Sequence, residues 1–131
     1  MKTKILVVDD SADFREIYSD AITEAGFKVE TAENGKIAIE KMLHEPPQVI
    51  LMDVNMPVMS GEETLAEMRK HRKLDDIPVI VMTVMPADEK GQQVVEAGPI
   101  VSYFTKDASS AQDVIDKIKE VLGTSEKRFE P

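Results

Sequence analysis

Continuous apolar runs alternate with amphipathic segments along the chain. The runs over residues 5–8, 49–53 and 79–82 are rich in Val, Ile, Leu and Met, and each leads directly into a polar residue or ends in one. Runs of this kind are typical of strands that are covered on both faces. The alternating segment over 28–32 predicts a weaker strand nearer the sheet edge, and residues 100–104 predict a fifth strand.

Five helices are predicted between and after these strands. The first begins after a Ser11 cap and ends at Gly26, whereas Asn34-Gly35 predicts a turn. Gly123 is expected to end the last helix. The apolar face of the first helix comprises Phe14, Ile17, Tyr18, Ala21, Ile22 and Ala25. The other helices are predicted over 36–44, 62–71, 88–97 and 110–122.

This alternation of strands and helices predicts an α/β fold. It indicates a doubly wound parallel sheet of five strands with helices on both faces, joined by right-handed crossovers. The 131 residues are the size of one domain. Residues 1–123 are expected to form that domain, and residues 124–131 a polar tail or the start of a linker. With no signal peptide and no apolar run that could span a bilayer, a cytoplasmic location is expected.

Composition narrows the classes of function. The net charge of −9 argues against direct binding of nucleic acid and against docking on anionic membranes. The absence of Cys excludes disulfides and thiolate metal sites. The two histidines, His44 and His71, are too few and too scattered to build a His-based metal site.

Polar side chains stand at or just after the ends of four of the five predicted strands. Because the carboxyl ends of parallel strands meet on the same side of a sheet, these side chains are expected to share one shallow pocket. One such Asp alone is more often an ordinary loop residue, but polar residues of these types at the ends of four strands rarely occur together by chance. Three carboxylates and one ammonium leave a charge of −2, which one Mg²⁺ would cancel. The residues are Asp9, Asp10, Asp53, Thr83 and Lys106.

A carboxylate in such a pocket can act as a nucleophile toward a phosphoryl group and form an aspartyl phosphate. Asp53 is the natural nucleophile because it ends the central strand, and Asp10 with Asp9 would hold the metal. Lys106 and Thr83 would bind phosphoryl oxygens. The charge added by phosphorylation would draw Lys106 and Thr83 inward, and that movement would make the domain a switch.

The chain resembles the receiver domain of two-component response regulators, the CheY-like family. The resemblance covers nearly the whole chain, from Lys4 to Leu122, and implies a flavodoxin-like fold with strand order 2-1-3-4-5. The matching stretches are Val7-Val8-Asp9-Asp10, Met52-Asp53-Val54-Asn55-Met56-Pro57 with Gly61, Thr83, and Tyr103-Phe104-Thr105-Lys106.

The resemblance implies a role for each site residue. Asp53 would be the phosphoacceptor. Asp10, Asp53 and the backbone carbonyl of Asn55 would bind Mg²⁺, and Asp9 would act through a water molecule. Thr83 and Tyr103 match a coupled switch pair, in which the aromatic ring turns inward once the hydroxyl engages the phosphoryl group. Tyr103 taken alone would more often be a packing residue.

The resemblance also implies the partners. The phosphoryl donor would be a phosphohistidine on a sensor histidine kinase or on a histidine phosphotransfer protein. The conformation of the region around Thr83 and Tyr103 would control binding of a downstream protein or output domain, and a homodimer is a further arrangement known in the family. Such a domain is not an enzyme, apart from catalysing its own phosphorylation and slow dephosphorylation.

Three departures from the family pattern keep alternatives open. Val84 stands where the family usually has Ala or Gly, which predicts slower reaction with small donors. Asp107 stands where many receivers have a cis proline, so a trans bond is predicted there, and the sequence that follows Gly98 is also unusual. One alternative is a receiver-like interaction module that never uses phosphate. The other is a Mg²⁺-dependent phosphohydrolase, which usually needs a second acid where Asn55 stands.

Overall fold

The computed structural model describes residues 3–53, 58–83, 100–105 and 110–127. Five strands and four helices lie within these residues, and they follow the predicted alternation. In chain order they are β1 (Lys4–Val8), α1 (Ala12–Glu24), β2 (Lys28–Ala32), α2 (Gly35–His44), β3 (Val49–Asp53), α3 (Gly61–Met68), β4 (Val79–Thr83), β5 (Ile100–Thr105) and α4 (Ala111–Lys127).

The strands form one parallel sheet in the order β2-β1-β3-β4-β5, which confirms the expected topology. Val8 pairs with Met52 where β1 meets β3, and Asp53 pairs with Met82 where β3 meets β4. The central strand β3 is therefore flanked by the two other strands that the sequence marks as most apolar. β2 lies at one edge, as its weaker alternating pattern predicted.

Alternate residues of the central strands enter two separate apolar clusters. Leu6 and Ile50 belong to the cluster beneath α2 and α3, whereas Ile5 and Leu51 belong to the cluster beneath α1 and α4. Both faces of β1 and β3 are therefore covered, which explains why their sequences are apolar without alternation. None of the described helices is both long and apolar enough to cross a membrane.

Asn34-Gly35 does not form the predicted turn. Asn34 is the N-cap of α2, its side chain accepts a hydrogen bond from the backbone N–H of Ile37 at 2.9 Å, and Gly35 is the first helical residue. The error arises because Asn favours both turns and helix N-caps, through the same bond from its side chain to the backbone. Ser11 caps α1 in this way, as predicted.

Ile17 does not lie on the buried face of α1, since 52% of its surface is exposed. Its neighbour Tyr18 and Ile22 are the buried residues of that helix. Successive helical residues point about 100° apart, so Ile17 falls outside the arc that faces the sheet. The prediction had extended the apolar face one position too far.

Two helix ends also differ from the predictions. α3 ends at Met68 rather than near residue 71, and the turns that follow bury Leu74 and Ile77. α4 continues past Gly123 to Lys127, since Gly lowers helix stability by only about 1 kcal/mol and does not by itself stop a helix. The domain boundary at residue 123 remains a prediction. The helix predicted over 88–97 lies outside the described residues.

Candidate functional site

Two neighbouring strands bring the acidic residues together. β1 ends at Val8 opposite Met52, and Asp9 follows Val8 as Asp53 follows Met52. Asp9 and Asp53 therefore come one step beyond the same paired position, on the carboxyl-terminal side of the sheet. Asp10 is the next residue along the chain and leads into helix α1.

The three carboxylates form one cluster, as the sequence predicted. Oxygen atoms of Asp9, Asp10 and Asp53 all lie within 4.8 Å of one another. Asp9 and Asp53 are 3% and 5% exposed, whereas Asp10 is exposed to solvent. The cluster is therefore a mostly buried acidic site whose open side is formed by Asp10.

Three hydrogen bonds fix the backbone and side chain of Asp9. Its N–H donates to the carbonyl of Ala32 at 3.1 Å, and its Oδ1 accepts the backbone N–H of Ser11 at 2.9 Å. Arg15 on α1 donates from Nη1 to the Asp9 carbonyl at 2.7 Å. The junction between β1 and α1 is thus held on both sides, which limits the positions that the Asp9 carboxylate can adopt.

Arg15 is a site neighbour that sequence reasoning missed. A cation near the amino end of a helix is unfavourable for the helix dipole. Its position four residues into α1 was therefore a usable signal that the side chain serves a contact outside the helix.

Tyr18 is a buried residue of α1, and the charge of the acidic cluster affects its pKa. Its ring stacks on Phe14, with ring centroids 6.1 Å apart. Burial raises the pKa of the Tyr18 hydroxyl above its usual range, and the negative charge of Asp9 raises that pKa further. The electrostatic influence of the cluster therefore reaches into the apolar layer between α1 and the sheet.

The donor set suits a hard divalent cation. All three groups offer carboxylate oxygens, which Mg²⁺ prefers, and Mg²⁺ commonly takes one or two carboxylates while keeping several waters. Like charges this close repel one another unless a cation is present. The exposed carboxylate of Asp10 leaves this side of the cluster open to solvent.

Comparison with known proteins shows the family. The sequence model of the response regulator receiver domain matches residues 5–119 of this chain. The chain belongs to this family. The match spans every described strand and helix except the first residue of β1 and the end of α4, so the receiver fold accounts for nearly the whole described chain.

Individual relatives agree with this assignment. The receiver is 33% identical to a chemotaxis protein CheY homolog of Campylobacter jejuni, over 92% of this chain and 93% of that protein. It is 36% identical to a protein-glutamate methylesterase/protein-glutamine glutaminase of Archaeoglobus fulgidus, over 93% of this chain and 37% of that protein. The solved structure of chemotaxis protein CheY4 of Vibrio cholerae has a TM-score of 0.84 at 30% identity, covering 92% of this chain and 99% of CheY4.

Length separates these relatives into two groups. The receiver spans less than two fifths of the length of six curated relatives, among them two methylesterases and several transcriptional regulators. It spans almost all of the CheY homolog. The family is therefore established, whereas the activities named for the longer relatives belong to proteins of which this chain matches only a part.

Two further predicted site residues, Thr83 and Tyr103, lie on β4 and β5. Thr83 is the last residue of β4, one step beyond the Met82 that pairs with Asp53, and it is paired with Thr105 on β5. Tyr103 lies on β5 opposite Val81. The backbone thus places Thr83 on the same side of the sheet as the carboxylates. Four further residues of interest lie outside the described residues: Asn55, Val84, Lys106 and Asp107.

Proposed function

We propose that this receiver domain is a phosphorylation-dependent switch in a two-component phosphorelay, with Asp53 as the phosphoacceptor. The convergence of three carboxylates beyond the ends of β1 and β3 carries the proposal. Asp53 is the member of this cluster that belongs to the central strand, and its backbone is held by pairing with β4. A nucleophile fixed in this way needs little rearrangement to meet an incoming phosphoryl group.

Mg²⁺ is the proposed cofactor. Asp10 and Asp53 would hold it, together with the backbone carbonyl of Asn55, while Asp9 would act through a bound water. When bound, Mg²⁺ supplies the positive charge that lets an anionic phosphoryl donor approach a site with three carboxylates. The exposure of Asp10 supports a hydrated ion at the open side of the cluster.

The proposed transfer makes and breaks one bond to phosphorus. A carboxylate oxygen of Asp53 attacks the phosphorus of a phosphohistidine, so an O–P bond forms as the N–P bond breaks, and the leaving imidazole takes up a proton. In the dephosphorylation reaction, water attacks the phosphorus of the aspartyl phosphate. The O–P bond to Asp53 breaks, inorganic phosphate leaves, and the carboxylate is restored.

The proposed switch uses the polar residues on the neighbouring strands. Thr83 would hydrogen-bond one phosphoryl oxygen and Lys106 would bind another, while Tyr103 would turn inward behind Thr83. The position of Thr83 at the end of β4, beside the strand that carries Asp53, supports this assignment. Phosphorylation adds charge and acceptor oxygens, and both favour inward positions of Thr83 and Lys106.

The proposed partners follow from the family. A sensor histidine kinase or a histidine phosphotransfer protein would donate the phosphoryl group, and a downstream protein or output domain would read the switch. Within the domain itself, the proposed chemistry is limited to its own phosphorylation and slow dephosphorylation.

Phosphorylation by small donors tests the proposal. The chain is incubated with acetyl phosphate or phosphoramidate, with and without Mg²⁺, and its intact mass is measured. Asp53→Asn keeps the shape of the side chain and removes the nucleophile. Asp20→Asn is the matched control, because Asp20 is exposed on α1 and stands apart from the cluster.

The proposal expects one added phosphoryl group in the native chain and in Asp20→Asn, only with Mg²⁺, and none in Asp53→Asn. If neither donor modifies the chain and Mg²⁺ does not bind, the proposal fails. An interaction module that works without phosphate would then be the better account.

A further inference from the structure

We infer that Gly35 is a positioning residue for the phosphorylation site. Gly35 lets the start of α2 press against the start of α3, and this contact holds the far end of the segment that follows Asp53. The inference rests on the proposed function, since it concerns the geometry of the proposed Mg²⁺ site. Its observations, however, come from a part of the molecule outside the acidic cluster.

The contact at Gly35 leaves no room for a side chain. A Cβ atom built on Gly35 would overlap Thr64 Oγ1, far inside van der Waals contact. The same atom would lie 3.0 Å from the Cγ of Met59 and 3.0 Å from the Met59 carbonyl oxygen, which is closer than the usual 3.5–4.0 Å between carbon atoms. The two helix starts therefore touch through backbone on one side and through Thr64 and Met59 on the other.

Thr64 cannot easily move aside. Its side chain is fully buried, and its Oγ1 donates a hydrogen bond to the carbonyl of Ser60 at 2.7 Å. A β-branched side chain has few rotamers in a helix, and another rotamer would break this bond at a position that is buried from solvent. A methyl group on Gly35 would therefore shift the backbone of α3 rather than turn Thr64.

Hydrogen bonds hold the first turn of α3 together. Ser60 Oγ accepts the N–H of Glu63 at 3.2 Å, and Glu63 Oε1 accepts the N–H of Ser60 at 3.1 Å, which is a complete capping box. The Ser60 carbonyl also accepts the N–H of Thr64 at 2.9 Å. Because Met59 directly precedes this network and packs against the apolar cluster beneath α2, a push on Thr64 also moves Met59.

Val58 shows that the segment is held against its own preference. It has a φ of 70°, in the left-handed region that β-branched residues avoid, and its side chain is 74% exposed. Such a conformation persists only where the surrounding structure imposes it. The anchor at Met59, one residue further on, is a structural feature that can impose it.

The proposed metal ligand Asn55 lies between two fixed points of the chain. Asp53 is held at one end by its pairing with Met82, and Met59 is held at the other end by α2. Five residues of sequence separate Asp53 from Met59, so the inference expects a displacement of Met59 to change Mg²⁺ binding. Gly35 would thus act through Met59 and Thr64 on the geometry of Mg²⁺ binding.

A purely structural role for Gly35 predicts a different result. Close helix packing alone would affect the free energy of unfolding and leave the folded site unchanged. Gly26 provides the matched control, because its φ of 102° makes an Ala there strained, while no atom lies within 4 Å of the added Cβ. Gly26 follows α1 on the amino-terminal side of the sheet, so Gly26→Ala should lower stability without reaching the acidic cluster.

The experiment measures Mg²⁺ dissociation constants by titration calorimetry and melting temperatures in the absence of Mg²⁺. The variants are Gly35→Ala, Thr64→Ala, the double variant and Gly26→Ala. We expect Gly35→Ala to weaken Mg²⁺ binding about tenfold, the size of effect seen when supports of a metal ligand are lost. In the double variant the overlap with Oγ1 is gone while the two close contacts with Met59 remain, so the change at Gly35 should weaken Mg²⁺ binding less in the Thr64→Ala background than in the unmodified chain.

Gly26→Ala should lower the melting temperature and leave the Mg²⁺ dissociation constant unchanged. The inference is overturned if Gly35→Ala also lowers only the melting temperature, or if the change at Gly35 weakens binding equally in the Thr64→Ala background. If Gly35→Ala does not fold, Met59→Ala serves instead. It removes the side chain that anchors the segment against α2, so Mg²⁺ binding should weaken, and an unchanged Mg²⁺ affinity would contradict the inference.

Failure of the two proposals is distinguishable. If the unmodified chain neither binds Mg²⁺ nor gains a phosphoryl group, the proposed function fails and the inference fails with it. If the unmodified chain does both and Gly35→Ala behaves like Gly26→Ala, the inference alone fails.

Discussion

Ionised side chains cluster at both ends of the parallel strands. We call the end where the strands begin the amino-terminal side of the sheet, and the end where they finish the carboxyl-terminal side. At the beginning of β1, Lys4 is 4% exposed, and its ammonium donates to Glu30 Oε1 at 2.9 Å and to the carbonyl of Glu45 at 2.6 Å. Lys28 reaches the Glu45 carboxylate at 3.3 Å. The amino-terminal side thus pairs opposite charges within the chain, from β1, β2 and the end of α2.

Among the described residues, the carboxyl-terminal side instead brings three carboxylates together. Asp9, Asp10 and Asp53 place three carboxylates within 4.8 Å of one another. Charges that are paired within the chain serve stability, whereas charges of one sign that are held together invite a ligand of the opposite sign. Removing a charge on the amino-terminal side should therefore lower the stability of the fold. Removing a carboxylate on the carboxyl-terminal side should raise stability without Mg²⁺ and weaken Mg²⁺ binding.

Asp10→Asn should give the largest effect and would sharpen this contrast. We expect Mg²⁺ binding to weaken by at least about tenfold, because a proposed ligand is lost. Without Mg²⁺ the melting temperature should rise, because like-charge repulsion is relieved. Titration calorimetry and thermal melts measure both, and Asp13→Asn, an exposed carboxylate in the first turn of α1, is the control for Mg²⁺ binding. A lower melting temperature without Mg²⁺ would contradict the contrast.

Lys4→Met should do the reverse on the amino-terminal side. The Met side chain keeps the buried apolar stem and removes the ammonium, so the free energy of unfolding should fall by about 2 kcal/mol. Mg²⁺ affinity should not change. Lys28→Met is the matched control, because Lys28 is exposed and its ion pair contributes roughly 0–1 kcal/mol. Equal losses of stability for the two lysines, measured by denaturant unfolding, would disprove the importance of burial here.

Val58→Asn should show that the carboxyl-terminal side carries backbone strain as well as charge. Asn tolerates the left-handed conformation, so the free energy of unfolding should rise by about 1 kcal/mol. Val58→Thr keeps the branched Cβ and should leave stability unchanged. Denaturant unfolding distinguishes them, and equal stability of the Asn and Thr variants would argue against strain at Val58.

The pH dependence of the amino-terminal side gives the smallest effect. The hydrogen bond from Lys28, together with its charge and that of Lys4, lowers the pKa of Glu45. A carboxyl whose pKa is lower in the folded state stabilises the fold above its unfolded pKa, near 4.3, and this contribution is lost as the pH falls through the folded value. Glu45→Gln should therefore show a slightly shallower acid-side fall in melting temperature, and an identical profile would rule out this linkage.

Most of the fold could be predicted because the informative patterns are local. The apolar runs at 5–8, 49–53 and 79–82 indicate buried strands, and all three occur as central strands of the sheet. Asp9, Asp10 and Asp53 could be grouped because the ends of parallel strands meet on one side. Asn34 shows the limit of local patterns, since the same residue type begins turns and caps helices.

The contacts that sequence reasoning missed join parts of the chain that local patterns do not connect. The approach of Gly35 to Thr64 depends on how α2 and α3 cross the sheet, and no spacing in the sequence encodes it. The contact of Arg15 with the Asp9 carbonyl differs, because it spans only six residues and the position of Arg15 near the amino end of α1 was a signal for it. Gly123 was misjudged for another reason, since nothing that follows it prevents the helix from continuing.

The most direct test of the central claim identifies the phosphorylated residue chemically. After reaction with acetyl phosphate and Mg²⁺, borohydride reduces an aspartyl phosphate to homoserine, and peptide mass spectrometry locates the change. The account predicts homoserine at position 53 and nowhere else. Homoserine at another carboxylate, or at none in the presence of Mg²⁺, would contradict it.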